Sequence, residues 1–375
     1  MGGKFQLPRS GPWHPARERP GSLTGERPLL NTTILLFLIQ DGITNGAIYA
    51  LLGLALVLVF AVTRVILIPQ GEFVTYGALT YASLASGHMP GTAKLAVTMG
   101  LVAFALDLFA ARKALHGRQI ARAFAVNIAL PCVILALTFW AAGHQAPVAV
   151  CVALSLLIVA AIGLFLYRIA FQPLAHTSVL VLLIASVGCH LAMQGLGLLF
   201  FGAEGQRGPV IADVAFMVGP LRFSGQSLAV YGITIAFIVG LWLFFGLTLY
   251  GKALRATAVN RLGARLVGIR TSLSGQIAFL LASVIGALSG ILIVPITTLY
   301  YDTGFLIGLK GFIAAIIGGL VSYPLTAIAA LMVGIVEAFS SFYASNFKEV
   351  IVFTLLIPVL LLRSLAAPAV EEEKE

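Results

Sequence analysis

Lys252, Arg255, Arg261, Arg265 and Arg270 crowd the segment Gly251–Thr271, which holds no acidic residue and lies between long uncharged apolar runs. At 100° per residue, Ala258, Leu262, Leu266 and Ile269 fall on one face, with Arg261 and Arg265 beside it. Two readings follow. The segment is a solvated basic loop at a membrane face, or a short amphipathic helix that lies on the membrane or docks in a partner's groove. A second place for chemistry is Glu72, which follows Pro69-Gln70-Gly71. Proline in the first turn with an acid just after it suits a helix N-terminus, where the dipole stabilises an anion. Glu72 is then either an interfacial helix start or part of a solute pathway.

Other constellations fail on their own chemistry. Gly246 to Lys252 matches the opening of a phosphate-binding loop, but Ala253 stands where a Mg²⁺-binding hydroxyl is needed, and a hydrophobic helix precedes it instead of a strand. ATP-driven work would therefore need another chain. The histidines at 14, 88, 116, 144, 176 and 190 form no HExxH motif and no i, i+4 pair with a carboxylate. Ser186 lies one turn before His190, a spacing that reads as helix–helix glue more readily than as nucleophile and base. Gly286 to Gly290 is not a GxSxG elbow. Cys132, Cys151 and Cys189 sit in apolar runs without CxxC spacing and read as small buried hydrophobes.

The elements that position these residues are membrane helices. The chain is 60% hydrophobic and 10% charged, against the roughly 25% charged residues of a soluble domain. Apolar runs of about 20 residues recur, as a ~30 Å hydrocarbon layer requires, and they lack the two-residue period of a barrel. The fold class is all-α, a polytopic helical membrane protein of about 8–11 transmembrane helices. Candidate spans cover 43–63, 66–87, 95–111, 124–142, 147–168, 177–201, 228–250, 274–299, 304–322, 325–342 and 347–363. Residues 1–30, rich in Pro and Arg, read as a disordered extension, not a cleaved leader, because the apolar run that follows is too long. Residues 31–365 form the membrane domain and 366–375 an acidic tail. The 39 glycines favour close packing of the small-xxx-small kind.

The net charge of +9 collects in connectors, which sets orientation instead of pointing to nucleic acid. The basic 112–122 and 251–271 connectors and Arg168 are placed inside, and 202–227 outside. Counting back through the spans then leaves the basic N-terminus outside. That outcome requires either a re-entrant piece within 31–63 or a break of the positive-inside rule. Asp41 and Lys310 begin spans and could snorkel to an interface. No internal repeat and no buried ionisable pair is evident, which counts against an ion-coupled secondary transporter working alone. An intramembrane hydrolase would have only His190 as a base at depth.

Three stretches carry a family likeness: Asp41 to Leu51 with Gln70-Gly71-Glu72-Phe73 and Tyr76-Gly77-Ala78; Ala170 to Leu174 with Gln194 and Phe201-Gly202; and Gly251 to Ile269, continuing through Gly308 to Phe312, Gly318-Gly319-Leu320 and Gly334 to Ala338. Together they cover most of 40–90 and 147–365. In these the chain resembles the permease subunits of branched-chain amino acid ABC transporters of the LivH type. The resemblance implies a non-enzymatic, multi-pass subunit of the bacterial inner membrane that imports branched-chain or related small amino acids or amides.

It also implies a second permease, homologous or identical, two cytoplasmic ATPase subunits and a periplasmic substrate-binding protein. The chain itself would bind no cofactor, and ATP would act through the partners. Arg255, Arg261, Leu262, Ala264, Arg265 and Gly268 would couple to the ATPase, which turns the choice at 251–271 toward the docking helix. Asn45, Tyr49, Gln70, Glu72 and Lys310 become translocation-pathway candidates. The chain departs from the family pattern in four places. Leu67-Ile68-Pro69 stands where an Asn and a small residue are usual. Leu262 and Gly263 stand where an acid is usual near the Ala-Arg pair. Residues 94–142 look like an inserted helix pair, and the N-terminal extension is also additional.

Overall fold

The computed structural model describes residues 32–110, 117–144, 146–218 and 221–366. The N-terminal extension, Arg112 and Lys113, and the acidic tail beyond Ala366 lie outside them. The described chain is helical apart from one hairpin. In order it forms α1 (Thr32–Thr63), α2 (Gln70–Ala85), α3 (Gly91–Ala110), α4 (Gly117–Phe124), a π turn (Ala125–Ala129), α5 (Leu130–Gly143), α6 (Val148–Leu166), a second π turn (Tyr167–Phe171) and α7 (Val179–Phe201). The antiparallel strands β1 (Ala215–Val218) and β2 (Leu221–Ser224) follow, then α8 (Gly225–Leu247), α9 (Leu249–Val259), α10 (Arg261–Leu266), α11 (Thr271–Ile293), α12 (Thr303–Ile317), α13 (Tyr323–Tyr343), α14 (Lys348–Thr354) and α15 (Leu356–Ala366). Among the described residues nine helical segments are long and apolar enough to cross a membrane. The protein is an all-α, multi-pass membrane protein.

Two expected spans are not full crossings. The 66–87 stretch becomes α2, 16 residues or about 24 Å long, and 304–322 becomes α12, 15 residues or about 23 Å. Both fall short of the ~30 Å hydrocarbon layer. Backbone chemistry cuts them: Pro69 caps α2, and after α12 the chain turns through Gly319 and Leu320, both at positive φ. The 31–63 stretch, in contrast, is one unbroken helix of 32 residues, about 48 Å, with no re-entrant piece. The last expected span is broken between α14 and α15, where Pro358 has no N–H to offer the carbonyl of Thr354.

The core gathers on α1, α2, α11 and α12. Glycines let the backbones meet: a Cβ on Gly46 would lie 2.8 Å from Leu331 Cα, and one on Gly42 would lie 2.6 Å from Ile335 Cα. Gly42 and Gly46 are four apart on one face of α1 and meet Gly334 of α13, a small-xxx-small crossing. Gly46→Val is expected to lower stability by about 1–3 kcal/mol, because no side-chain movement relieves a clash with backbone. Gly188→Ala, at a site with open space, should be neutral or slightly stabilising. Thermal unfolding of the two variants in detergent reads the difference.

The bundle has two distinguishable ends. At one, Tyr231 of α8 donates to the carbonyl of Gln40 at 3.1 Å and lies 2.7 Å from the Thr44 hydroxyl, so α1 starts beside the hairpin. At the other lie α9 and α10, reached through α8. The start of α1 is thus on the side of the 202–227 connector and opposite 251–271, as the span count requires.

The expected insertion is built of α3, α4, the first π turn and α5, packed against α6. Ala93, Leu95, Ala96, Ala103 and Ile134 join the common core, and an ion pair adds to that packing. Arg168, in the second π turn, pairs with Asp107 of α3 and hydrogen-bonds the Asn127 side-chain oxygen, and the Asn127 amide donates to Asp107 at 2.8 Å.

Candidate functional site

The half-length helices create a site at mid-depth. The Gln70 amide, first in α2, donates to the carbonyl of Ala282 at 3.0 Å, and Ala282 is the twelfth of the 23 residues of α11. From there α2 runs toward the hairpin end, where the Tyr81 hydroxyl donates to the carbonyl of Pro209 at 3.1 Å. The first turns of α2 and α12 cross where Gly71 faces Gly304 and Gly308, and the Gly304 N–H donates to Thr75 Oγ1 at 3.0 Å. Two helix N-termini, with their positive dipole ends, therefore meet inside the bundle.

Glu72 sits in that first turn and is fully buried, so its helix start is interior, not interfacial. His190 of α7 places Nδ1 2.9 Å from Glu72 Oε1. The approach is off the line of a hydrogen bond, and neither carboxylate oxygen of Glu72 has a hydrogen-bond partner. The imidazole stacks on Phe305 of α12, with ring centres 4.4 Å apart. Ser186 accepts from the Ile68 N–H at 2.9 Å and so ties α7 to the segment before α2, the glue role its spacing implies. Gln70 and His190 border a cavity of about 370 Å³ whose other walls, among them Leu67, Leu183, Phe305 and Leu309, are apolar. It lies between α7 and α12 on the flank of the bundle.

A second polar cluster joins α1, α12, α13 and α14. Lys310 Nζ lies 2.5 Å from Glu337 Oε1 and 3.2 Å from Glu349 Oε1, and the Tyr49 hydroxyl donates to Glu337 Oε2 at 2.5 Å. Lys310 is 5% exposed, in the middle of α12, and does not snorkel. Asn45 stands one turn before Tyr49 on the same face of α1, and Asp41 one turn before that. The expectation of no buried ionisable pair is therefore wrong twice, at Lys310–Glu337 and at Glu72–His190. In both the partners are remote in sequence, and a linear reading of charge has no access to such contacts.

The basic segment forms a third group. It is not one amphipathic helix, because Asn260 interrupts it. Asn260 has extended backbone, and its side-chain oxygen accepts from the Gly263 N–H at 2.8 Å, capping α10. Two of its arginines bond back to the chain. Arg261 donates to the carbonyl of Ala175 at 3.1 Å, and Arg265 donates to Thr271 Oγ1 at 3.2 Å and lies 3.1 Å from His176 Nε2. Ala264 is buried beneath them, and Gly268, at φ +84°, lets the chain turn into α11. Beside the exposed Arg265, α10 and its C-cap present apolar side chains outward: Leu262 is 68%, Leu266 81% and Val267 76% exposed. Ile269, expected on that face, is half-buried. Arg255, on α9, bonds the carbonyl of Phe245 instead of joining this group.

Comparison with known proteins agrees with this architecture. Residues 38–360 match the model of the branched-chain amino acid transport system permease component family. The high-affinity branched-chain amino acid transport system permease protein BraD of Pseudomonas aeruginosa is 30% identical over 231 residues, 59% of this chain and 75% of the relative. The corresponding protein LivH of Escherichia coli K12 is 30% identical over 232 residues, 58% and 74% of the two chains. A shorter likeness, 31% over 139 residues and 37% and 38% of the chains, links it to the autoinducer 2 import system permease protein LsrC of Yersinia enterocolitica. No solved structure matches the chain significantly. The chain belongs to the branched-chain amino acid transport permease family.

Proposed function

We propose that this member of the branched-chain amino acid permease family is the inner-membrane half of an ATP-driven importer for branched-chain or related small amino acids or amides. The observation that carries the proposal is α10. Leu262 and Leu266 on this short helix and Val267 at its end stand exposed, while Arg261 and Arg265 beside them each bond back to the chain. Apolar side chains clustered in that way mark a docking surface. The partner is a cytoplasmic ATPase subunit, present in two copies, which supplies the nucleotide chemistry. On this reading Arg261 and Arg265 are positioning residues for α10, with Ala264 and Gly268 shaping its seat, and the leucines make the contact.

A second permease, a separate chain or another copy, completes the pathway against the flank where the cavity opens between α7 and α12. A substrate-binding protein delivers solute at the hairpin end. The mid-depth site suits a zwitterion with an apolar side chain. Helix N-termini favour a carboxylate, Glu72 an ammonium, and the apolar walls the side chain. Gln70 and His190 border the apolar-walled cavity, and Glu72 lies buried against His190. Tyr49 and Lys310, with Asn45 beside them, brace the helix that carries the site. Nucleotide-driven movement of the ATPases pushes α10 and biases the bundle between outward-open and inward-open states.

Uptake of labelled leucine by cells lacking other importers tests the pathway. The intact chain should support uptake, and Glu72→Gln should lower it at least tenfold at equal protein level. Full uptake by that variant would remove Glu72 from the pathway. The buried Lys310–Glu337 pair favours a second reading, an ion-coupled transporter working without ATPases, since such pairs mark that class.

A further inference from the structure

A groove of about 470 Å³ lies at the α10 end of the bundle, between α8, α1 and α13, and none of the roles above uses it. Its walls are apolar and aromatic, including Leu54, Trp242, Phe245, Tyr323 and Ala327, and one charged residue, Arg255, stands at its edge. Three features set it apart from ordinary lipid-facing surface. Trp242 is 73% exposed within six residues of the end of α8, the depth at which indole rings line a membrane interface. Arg255 spends one N–H on the Phe245 carbonyl and has no carboxylate within ion-pair reach among the described residues. Lys252 lies three residues earlier on α9, on the same side of that helix, and is exposed. An apolar slot at membrane depth, ending at two cations with no ion-pair partner among the described residues, matches a lipid with an acyl chain and an anionic phosphate headgroup.

We propose that this groove is a binding site for an anionic phospholipid of the leaflet on the α10 side, with an acyl chain between α8 and α13 and the phosphate on Arg255 and Lys252. Because α9 leads directly into α10, the bound lipid would hold the base of the docking helix. The proposal is independent of the solute transported.

The test uses the full chain in detergent, stripped of lipid and offered phosphatidylglycerol or phosphatidylcholine of identical acyl chains, with retained lipid counted by native mass spectrometry. The wild type should retain phosphatidylglycerol in preference to phosphatidylcholine. Arg255→Gln should cut that preference about fivefold, the factor corresponding to about 1 kcal/mol per basic residue near a membrane surface. A Cβ on Gly246, at the groove's edge, meets no atom within 4 Å, so Gly246→Leu fills the slot without disturbing the backbone and should lose both lipids. Equal retention of the two lipids by the wild type, an unchanged preference in Arg255→Gln, or undiminished binding in Gly246→Leu would each overturn the proposal.

Discussion

Aspartate at both Leu262 and Leu266 is expected to lower ATP-driven uptake by about a hundredfold while leaving the amount of folded protein in the membrane unchanged. Both side chains are largely exposed, so charging them costs the isolated chain little. In a docked complex each leucine would bury a side chain, a gain of about 1.5–3 kcal/mol, and an aspartate there forfeits the gain and buries an unpaired charge. Arg261→Ala should act differently. It removes the bond to the Ala175 carbonyl that holds α10, so the partial loss expected of it should be accompanied by looser packing of α10, read as faster amide exchange over 261–269. Uptake and membrane protein level, measured together, separate the two effects. Near-normal uptake by the double aspartate variant would remove α10 as the docking element.

The largest effect on stability is expected at Glu337. Glu337→Leu strips Lys310 of its closest carboxylate and Tyr49 of its acceptor in a place closed to water. Removing one partner of a buried pair typically costs about 3–5 kcal/mol, chiefly the penalty of the charge left behind. Glu349, 3.2 Å from Lys310, softens the loss, which places the expectation at the lower end of that range. Replacing both partners, Lys310→Met with Glu337→Leu, should recover much of the stability, because no orphaned charge at Lys310 remains. Denaturation midpoints in detergent for the single and double variants give the comparison. A single variant as stable as the wild type would mean that the cluster holds nothing together.

These two sites differ in how far the sequence reveals them. The membrane class, the location of most crossings and the basic segment all follow from runs of apolar residues and the places where charge collects. The interrupted character of α2 and α12 does not, because a hydropathy window counts apolar residues and is blind to where the backbone stops. Pro69 was visible, yet its effect depends on the 64–69 segment bringing the chain back to mid-depth before α2 begins. Asn260 was equally visible. The apolar spacing at 258, 262, 266 and 269 runs across it as if the helix were continuous, but a side chain that caps the next helix competes successfully with propagation.

The buried pairs were out of reach for a different reason. Glu72 and His190 are 118 positions apart, and Lys310 and Glu337 are 27 apart on different helices, so only tertiary packing joins them. Arg261 and Arg265 show a third limit. Their types and positions were legible, but whether a guanidinium faces a partner or its own chain is decided by the 172–178 connector, which carries Ala175 and His176 to them.

The most direct test of the central claim is purification of the full chain from its native membranes in mild detergent, with identification of the chains that accompany it and assay of ATP hydrolysis. The account predicts recovery of an ATP-hydrolysing subunit, and its loss when Leu262 and Leu266 are both aspartate. A chain that purifies alone and moves amino acid into liposomes under an ion gradient without ATP would contradict it.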